Sequence, residues 1–364
     1  MKKTLVLSTA CIWVLMLPSC SKRYYNNNGS SPAINTITPV STNLLFESLR
    51  AAPQNLTVTA GRDTVLFGAS GTMLHFYPNS FKDAGGNIVN SGNINIQLTE
   101  MYTPADMIIN ETSCTVSGQL LESTGQINLL VTKNGNIIYT NKYGVGFKQK
   151  EPSTIPMALF YGDHSKGDSV TRWTLSDTTK PGTTATAAQT YTVTSVNPDS
   201  IAESTLNGGV GSGTDSSIVY TIGADSIIYI TPNLYVFDTT INAGYVNSDR
   251  IYWPANNYTS TTVSVVLPSS IFTPLNTQAF IVLKDINCVL RIESGYDAAT
   301  NTISLDDDGT TVPIGMNYEI AVMANVNGDY YYYGTSGVTA SGLSVNAAMA
   351  VSSVTDIKDK LGGL

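Results

Sequence analysis

Two histidines, His75 and His164, are the only imidazole bases in this chain, and a serine hydrolase would need one of them. His75 lies in a strand-like run, whereas His164 lies in the polar segment 162–168, which is typical of a loop. The sequence contains no nucleophile elbow, no zinc-ligand spacing and no glycine-rich loop for phosphates. We therefore expect no catalytic residue, no cofactor and no bound metal.

One acidic run, residues 306–309 (three Asp and a Gly), supplies the oxygen ligands that calcium prefers. An EF-hand loop places ligands at alternate positions and ends on a bidentate glutamate. Counted from Ser304, the final ligand position is Gly315, so a hairpin turn is the better interpretation. Carboxylates for glycoside cleavage pair in space rather than in sequence, and nothing in the sequence indicates such a pair.

Aromatic side chains are the better indication of a binding surface. Trp173, Tyr252 and Trp253, together with the tyrosine run 330–333, are candidate glycan-facing aromatics. Alternate residues of a strand point to opposite faces, so at most half of the tyrosine run lines one surface. Tyrosine is also a common strand residue, and packing within a core is the alternative.

A cysteine near the beginning of the chain is a candidate for lipid modification. Lys2 and Lys3 precede a short apolar run that ends in Leu17-Pro18-Ser19-Cys20, an order typical of a secretory signal. The apolar run is shorter than the about 20 residues that a membrane-spanning helix needs. Its end resembles the bacterial lipobox, which implies cleavage between Ser19 and Cys20 and a thioether-linked lipid on Cys20.

The residues after Cys20 indicate where the lipid anchor would reside. No Asp follows Cys20, and Lys22 and Arg23 stand where Bacteroidota surface lipoproteins carry an acidic cluster. We expect an outer-membrane lipoprotein that faces the periplasm, and exposure on the cell surface is the alternative.

Four cysteines occur, but two of them belong to this signal. Cys11 is removed with it and Cys20 carries lipid, so Cys114 and Cys288 remain. A disulfide between them is allowed in an oxidising envelope. Because they lie far apart in the sequence, we favour two separate, small buried side chains.

The composition limits the partners of the chain. Charged residues make up only 13% of it, and its net charge is −8. An acidic chain without a basic cluster cannot neutralise a phosphate backbone, so nucleic acid is not an expected partner. It would not adhere to anionic lipid by charge either, so the membrane link must be the N-terminal lipid.

Short strands bounded by turn residues dominate the rest of the sequence and predict an all-β fold. Asn134-Gly135 between two strand-like runs predicts a hairpin with a type I′ turn, and Ser352 or Ser353 is a candidate cap of a short C-terminal helix. We predict a signal peptide (1–19), a flexible tether (20–55), a ZU5-like β-sandwich domain (56–165), a polar linker (166–216) and a second β-sandwich-like domain with the C-terminal helix (217–364).

The family resemblance of the first domain rests on residues 71–81, Asp83, Gly86, Asn87 and Glu100. This stretch is similar to the beginning of ZU5-like β-sandwich modules. Some ZU5-containing proteins cleave themselves at a His-Phe-Ser triplet. Here the corresponding triplet is His75-Phe76-Tyr77, which lacks the serine nucleophile, so we expect no self-cleavage.

Three further segments resemble uncharacterised Bacteroidota lipoproteins. Residues 106–108 and 118–123 fit the ZU5-like version in those proteins, although Gln126-Ile127 replaces a Gly-Met pair. Residues 244–250 resemble their Gly-Trp-x-Asn-x-Asp-Arg segment, with Tyr245 in place of Trp. The resemblance implies that these motifs have a structural role, and it assigns no catalytic residue to this chain.

The sequence as a whole predicts a lipid-anchored cell-envelope protein with a non-enzymatic structural or protein-binding role. The alternative is a carbohydrate-binding accessory lipoprotein of glycan uptake, and an envelope hydrolase is the third hypothesis. The expected partners are the membrane, through the lipid, and an envelope protein or glycan.

Overall fold

The structure, a computed structural model, describes residues 42–148, 157–163, 172–175, 192–193, 229–230, 234–240, 244–252, 259–293, 295–305 and 310–364. Its helices are α1 (Asn43–Leu49), α2 (Pro104–Ile109) and α3 (Val354–Gly362). Its first twelve strands are β1 (Gln54–Thr59), β2 (Thr64–Phe67), β3 (Met73–Phe76), β4 (Phe81–Lys82), β5 (Asn93–Met101), β6 (Thr115–Val116), β7 (Gln119–Lys133), β8 (Asn136–Ile137), β9 (Tyr139–Thr140), β10 (Tyr143–Lys148), β11 (Ala158–Asp163) and β12 (Arg172–Leu175).

The later strands are β13 (Thr192–Val193), β14 (Tyr229–Ile230), β15 (Leu234–Thr240), β16 (Gly244–Ile251), β17 (Ser260–Thr261), β18 (Val263–Val266), β19 (Thr277–Leu283), β20 (Cys288–Ile292), β21 (Gly295–Asp297), β22 (Thr302–Ser304), β23 (Val312–Pro313), β24 (Asn317–Val326), β25 (Asp329–Val338), β26 (Leu343–Asn346) and β27 (Ala350–Val351). Strands in several sheets, with three short α-helices among the described residues, confirm the all-β prediction.

The first core lies between two sheets. The larger sheet has the strand order β1-β5-β7-β16-β11-β12, and β6 and β8 also pair with β7. The smaller sheet has the order β15-β10-β3-β2. Apolar side chains from both sheets, among them Phe76 and Tyr143 from the smaller one and Ile96 from the larger one, are fully buried in one cluster. Alternating burial along β5 is the pattern of a strand with one face on a core.

The second core involves a sheet of order β20-β19-β24-β25-β27 and another of order β21-β22-β18-β26. All seven residues of β19 are buried, which is typical of a strand covered on both faces. The helices contribute to this core: the Phe46 ring of α1 lies 6.1 Å from that of Phe280, edge to face. Ile357 and Leu361 of α3 are fully buried in the same cluster.

Helix α1 corrects the predicted tether. Residues 20–55 were expected to be flexible, but Leu45, Phe46 and Leu49 on α1 are buried in the second core. Arg50 also pairs with the buried Glu111 at 2.5 Å. The apolar residues of α1 are few and flanked by polar ones, so their pattern is too short to stand out in the sequence. Residues 20–41 lie outside the described residues.

The strand pairing also differs from the predicted domain boundaries. β15 and β16, which were assigned to the second domain, pair with β10, β7 and β11 in the two sheets of the first core. β12 lies within the predicted linker 166–216 but pairs with β11. The sequence order of strands does not determine which strands are neighbours, so the return of β16 into the first sheet left no local signal.

Local turn and cap predictions agree with the structure. Asn134 and Gly135 have φ of 52° and 79°, the positive pair that a type I′ turn requires, between β7 and β8. Ser353 caps α3: its side chain accepts from the Asp356 N–H, and the Asp356 carboxylate accepts from the Ser353 N–H.

Candidate functional site

Residues 121–123 of β7 lie opposite the end of β16, whose sequence also stood out as a motif. The register pairs Arg250 with Glu122 and Asp249 with Ser123. The Nε and Nη2 atoms of Arg250 both donate to Oε2 of Glu122, at 2.8 and 2.5 Å. Two sequence motifs more than a hundred residues apart therefore contact each other across one strand pair.

β7 has a β-bulge at Thr124, within its pairing with β16. Ser248 is opposite Gly125 and Asp249 is opposite Ser123, which leaves Thr124 as the extra residue. The Thr124 hydroxyl donates to the Ser248 carbonyl at 2.7 Å. Gly125 has a φ of 150°, and a Cβ there would lie 2.5 Å from the Tyr102 ring, so this position requires glycine.

A group of buried polar residues surrounds the bulge. We call it the polar junction; its members are Ser123, Gln126, Asn247, Ser248 and Asp249. The Asn247 amide donates to the Asp249 carboxyl group, and the Ser123 hydroxyl donates to the Asn247 amide oxygen at 3.3 Å. Within the described residues, Oε1 of Gln126, Oγ of Ser248 and Oδ1 of Asp249 have no hydrogen-bond partner. Buried polar atoms without partners cost free energy, so the junction is only partly compensated.

Asp249 is the most perturbed acid of the junction. Burial raises the pKa of Asp249 well above its ordinary range, and the nearby Cys114 raises it further. Hydrogen bonds from Ser123 and Asn247 oppose this rise in pKa. The environment therefore favours the neutral carboxylic acid. Because the junction residues are 0–6% exposed, the junction has the character of a structural polar centre without access for a substrate.

Two thiols adjoin the junction. The Gln126 amide donates to Sγ of Cys114 at 3.5 Å, and Cys288 lies next to Cys114. Both cysteines are 0% exposed, as we expected of small buried side chains. Their contact with each other was not expected, because the sequence separates them by 174 positions.

His75 lies in a second polar cluster, at the surface of the first sandwich. Its Nε2 is 2.5 Å from Oδ1 of Asp63, and its ring is 4.2 Å from the ring of Tyr77. The Lys142 ammonium lies 5.0 Å above the Tyr77 ring. In the part of the chain that the structure describes, no serine or threonine hydroxyl bonds to His75, so the cluster lacks the nucleophile of a triad.

Other residues in the stretch 71–100 have structural contacts. The Glu100 carboxylate accepts from the N–H groups of Ser70 and Thr72 at 2.8 and 2.9 Å, which fixes the loop before β3. The Ser80 hydroxyl accepts from the Tyr77 N–H at 2.7 Å and donates to the Lys142 carbonyl at 2.5 Å. These contacts show how the motif holds its loops.

A groove of about 500 Å³ lies between β24, β25 and α3. Glu319, Tyr332, Tyr333, Ser336 and Lys360 are among its lining residues. The Lys360 ammonium lies 5.0 Å above the Tyr332 ring, and burial, with the charge of Glu319, raises the pKa of the Tyr332 hydroxyl. The groove therefore combines aromatic, charged and hydroxyl groups on one surface.

Two of the three predicted glycan-facing aromatics, Trp173 and Tyr252, lie within the described residues. Trp173 is only 5% exposed and donates its indole N–H to the Ser113 carbonyl at 2.5 Å, so its assignment as a glycan-facing residue is wrong. A strand tryptophan with a buried acceptor in reach packs inward. Tyr252 is half-buried and packs against the second core.

The remaining predicted residues lie outside the described residues. They are Ser19, Cys20, His164, Trp253 and the acidic run 306–309. Within the described ranges, no three His, Cys, Asp or Glu side chains are grouped as metal ligands. No helix in those ranges combines the length and apolar character needed to span a membrane.

Comparison with known proteins gives no relative: no family model, no curated protein and no solved structure matches this chain.

Proposed function

We propose that this chain is a lipid-anchored cell-envelope protein that performs no chemistry and binds another envelope protein along the free edge of β25. The observation that carries the proposal is this edge. β27 pairs with β25 only at Tyr331 and Tyr332. Past Tyr332, no described strand pairs with that edge of β25 up to Val338.

The direction of the main-chain groups follows from one hydrogen bond. The Tyr330 carbonyl accepts from the Ser352 N–H at 2.9 Å, so the main chain of Tyr330 faces the β27 side. Because main-chain direction alternates along a strand, the N–H and C=O groups of Gly334, Ser336 and Val338 face the same side. An extended segment of a partner can bond to such a row by strand addition.

The residues of this edge do not protect it. Natural edge strands carry charges, prolines or bulges that prevent further pairing. Residues 333–338 (Tyr-Gly-Thr-Ser-Gly-Val) contain no charge and no proline, and their register with β24 is continuous. Val338 is 57% exposed. The adjacent groove would accept side chains of the added segment.

The groove supports a protein partner better than a glycan. Sugar rings bind on free aromatic faces, but Lys360 covers the Tyr332 ring, which is only 8% exposed. A row of alternating main-chain donors and acceptors instead matches a polypeptide. Glycan binding stays the alternative function.

Attachment to the envelope rests on the sequence around Cys20. The proposed lipid would hold the folded chain at the outer membrane, facing the periplasm. Replacement of Cys20 by Ser should release the protein from the membrane fraction into the soluble fraction of the envelope. A Cys20→Ser variant that stays with the membrane would contradict lipid anchoring.

The binding proposal is tested by photo-crosslinking in intact cells. A photoreactive residue at Val338 should attach a protein partner, whereas the same residue at the exposed Asn95 of β5 serves as control. Ser336→Pro removes one outward N–H and keeps the hydrogen bonds to β24. Crosslinking at Val338 should therefore fall about two- to tenfold, the loss expected for one main-chain hydrogen bond to the added strand. Ser336→Ala keeps the N–H and should crosslink normally.

Three results would contradict the proposal. One is equal crosslinking of the proline and alanine variants, with both folded by circular dichroism. A second is glycan-array binding without a protein adduct, which would favour the carbohydrate-binding alternative. The third is turnover of an envelope polymer by the purified protein, which would favour the hydrolase hypothesis.

A further inference from the structure

Cys114 and Cys288 lie in two chain segments that contact each other through main chain and side chain. The Cys114 N–H donates to the Val289 carbonyl at 2.8 Å. The Cys288 thiol lies 3.5 Å from the Cys114 carbonyl, and the N–H of Val289, the next residue, lies 3.4 Å from the Cys114 thiol. Cys114 follows α2 and Cys288 begins β20, so the contact joins distant parts of the chain.

The spacing of these segments is compatible with a covalent bond. Chains joined by main-chain hydrogen bonds run about 5 Å apart, and disulfide-bonded residues have Cα atoms about 4.4–6.8 Å apart. Both thiols are free in the structure, and each lies within 3.5 Å of a main-chain atom in the segment of the other. The two cysteines therefore lie in neighbouring chain segments at a spacing that a disulfide can bridge.

We propose that Cys114 and Cys288 form a structural disulfide when the chain folds under oxidising conditions; in the cell, this rests on the proposed export to the envelope. The oxidant is a disulfide donor, either a protein thiol oxidase or a small-molecule disulfide. Each cysteine loses its thiol proton, one sulfur–sulfur bond forms, and the donor disulfide takes up two electrons and two protons to become two thiols.

Burial determines when this bond forms. Both thiols are 0% exposed in the folded chain, and burial raises the pKa of the Cys288 thiol well above its ordinary range. Exchange requires a thiolate that the donor can reach. The bond therefore forms during folding, before the core closes, and the folded protein then protects it from reductant.

The test uses the full chain, extracted from cells in detergent. The protein is denatured, reduced and refolded in a mixture of oxidised and reduced glutathione, and free thiols are then alkylated. Trypsin releases peptides 83–133 and 285–291, each with one cysteine. We expect these peptides to be recovered as one linked species that reductant separates, and the oxidised chain to unfold at a higher temperature than the reduced chain.

Matched variants and the cell sample complete the test. Cys114→Ser and Cys288→Ser should each give the remaining peptide in alkylated form. Recovery of both wild-type peptides separately and alkylated after oxidative refolding would overturn the proposal, whether or not the variants fold. A chain that links on refolding but carries free thiols when taken from cells would support the pairing and contradict the envelope location.

Discussion

The polar junction and the free edge of β25 use similar residues in opposite ways. Both contain hydroxyl and main-chain polar groups on long strands. In the junction, Asn247 and Asp249 are fully buried and bond to each other. Along the edge, Ser336 and Gly334 are exposed, and their outward main-chain groups lack a strand partner in the described structure. Accessibility, rather than residue type, separates the structural polar groups of the junction from the main-chain groups that we propose for binding.

This difference leads to opposite expectations for substitution. Changes in the junction should alter the free energy of unfolding, because they leave buried groups without partners. Changes along the edge or in the groove should leave stability nearly unchanged and alter binding.

The largest effect concerns the pH dependence contributed by Asp249. Its pKa in the folded chain is well above the ordinary 3.8, so between these two values the folded state holds one more proton than the unfolded state. Raising the pH therefore favours unfolding, by about 1.4 kcal/mol per pH unit in that range. Below pH 3.8 both states are protonated and the effect disappears. Asp249→Asn should remove this slope, as measured by urea unfolding at pH 4 to 8.

Asp297 provides the control for this measurement. It is exposed, and hydrogen bonds from Thr300 lower the pKa of its carboxyl group. Asp297 therefore makes a small stabilising contribution to the free energy of unfolding at higher pH. This contribution is lost as the pH falls through the lowered pKa, which is the opposite sign to Asp249. If the free energies of unfolding of Asp249→Asn and the wild type differ by the same amount at every pH, Asp249 is not a buried neutral acid.

Removal of the Asn247 side chain should have the next largest effect. Asn247→Ala leaves the Ser123 hydroxyl and the Asp249 carboxyl group buried without their shared partner, and it creates a small cavity. We expect a loss of about 2–4 kcal/mol in the free energy of unfolding, as determined from denaturant curves. Asn95 on β5 is exposed, and Asn95→Ala should change the free energy of unfolding by less than about 0.5 kcal/mol. Equal effects would show that the junction is not a buried structural centre.

Local features of the fold could be predicted from the sequence, but contacts between distant segments could not. The Asn134-Gly135 turn and the Ser353 cap depend on a few adjacent residues, whose conformational preferences are strong. The position of β16 between β7 and β11 depends on pairing with distant segments, and its partners on β7 are more than a hundred residues away. No local pattern encodes such a pairing, which is why the predicted boundary at residue 217 divides strands that hydrogen-bond to each other.

The candidate sites show the same limit. Asn247, Asp249 and Arg250 were visible as a motif, but their partners on β7 became evident only with the register. Trp173 was mistaken for a surface residue because the sequence does not show the Ser113 carbonyl that accepts its N–H. The free edge depends on where β27 ends, a property of the folded sheet.

The ion pair between Arg250 and Glu122 should contribute less than the junction. Both side chains are partly exposed, at 33% and 25%, so water screens their attraction. We expect Arg250→Met to lower the free energy of unfolding by about 1 kcal/mol. A double-mutant cycle with Glu122→Gln should give a coupling energy of similar size. Additive single effects would indicate that the two charges do not interact.

The smallest effect on stability is expected in the groove. Lys360 lies 5.0 Å above the Tyr332 ring and 3.3 Å from the Ser352 hydroxyl, and it is exposed. Lys360→Met should lower the free energy of unfolding by only about 0.5 kcal/mol, the value of an exposed cation–π contact. Lys358→Met, on the same helix and also exposed, should have less effect. Because Lys360 lines the groove, its replacement should nevertheless reduce photo-crosslinking at Val338, which the Lys358 variant should leave unchanged. A large stability loss with unchanged crosslinking would place Lys360 with the structural residues and remove the groove from the binding surface.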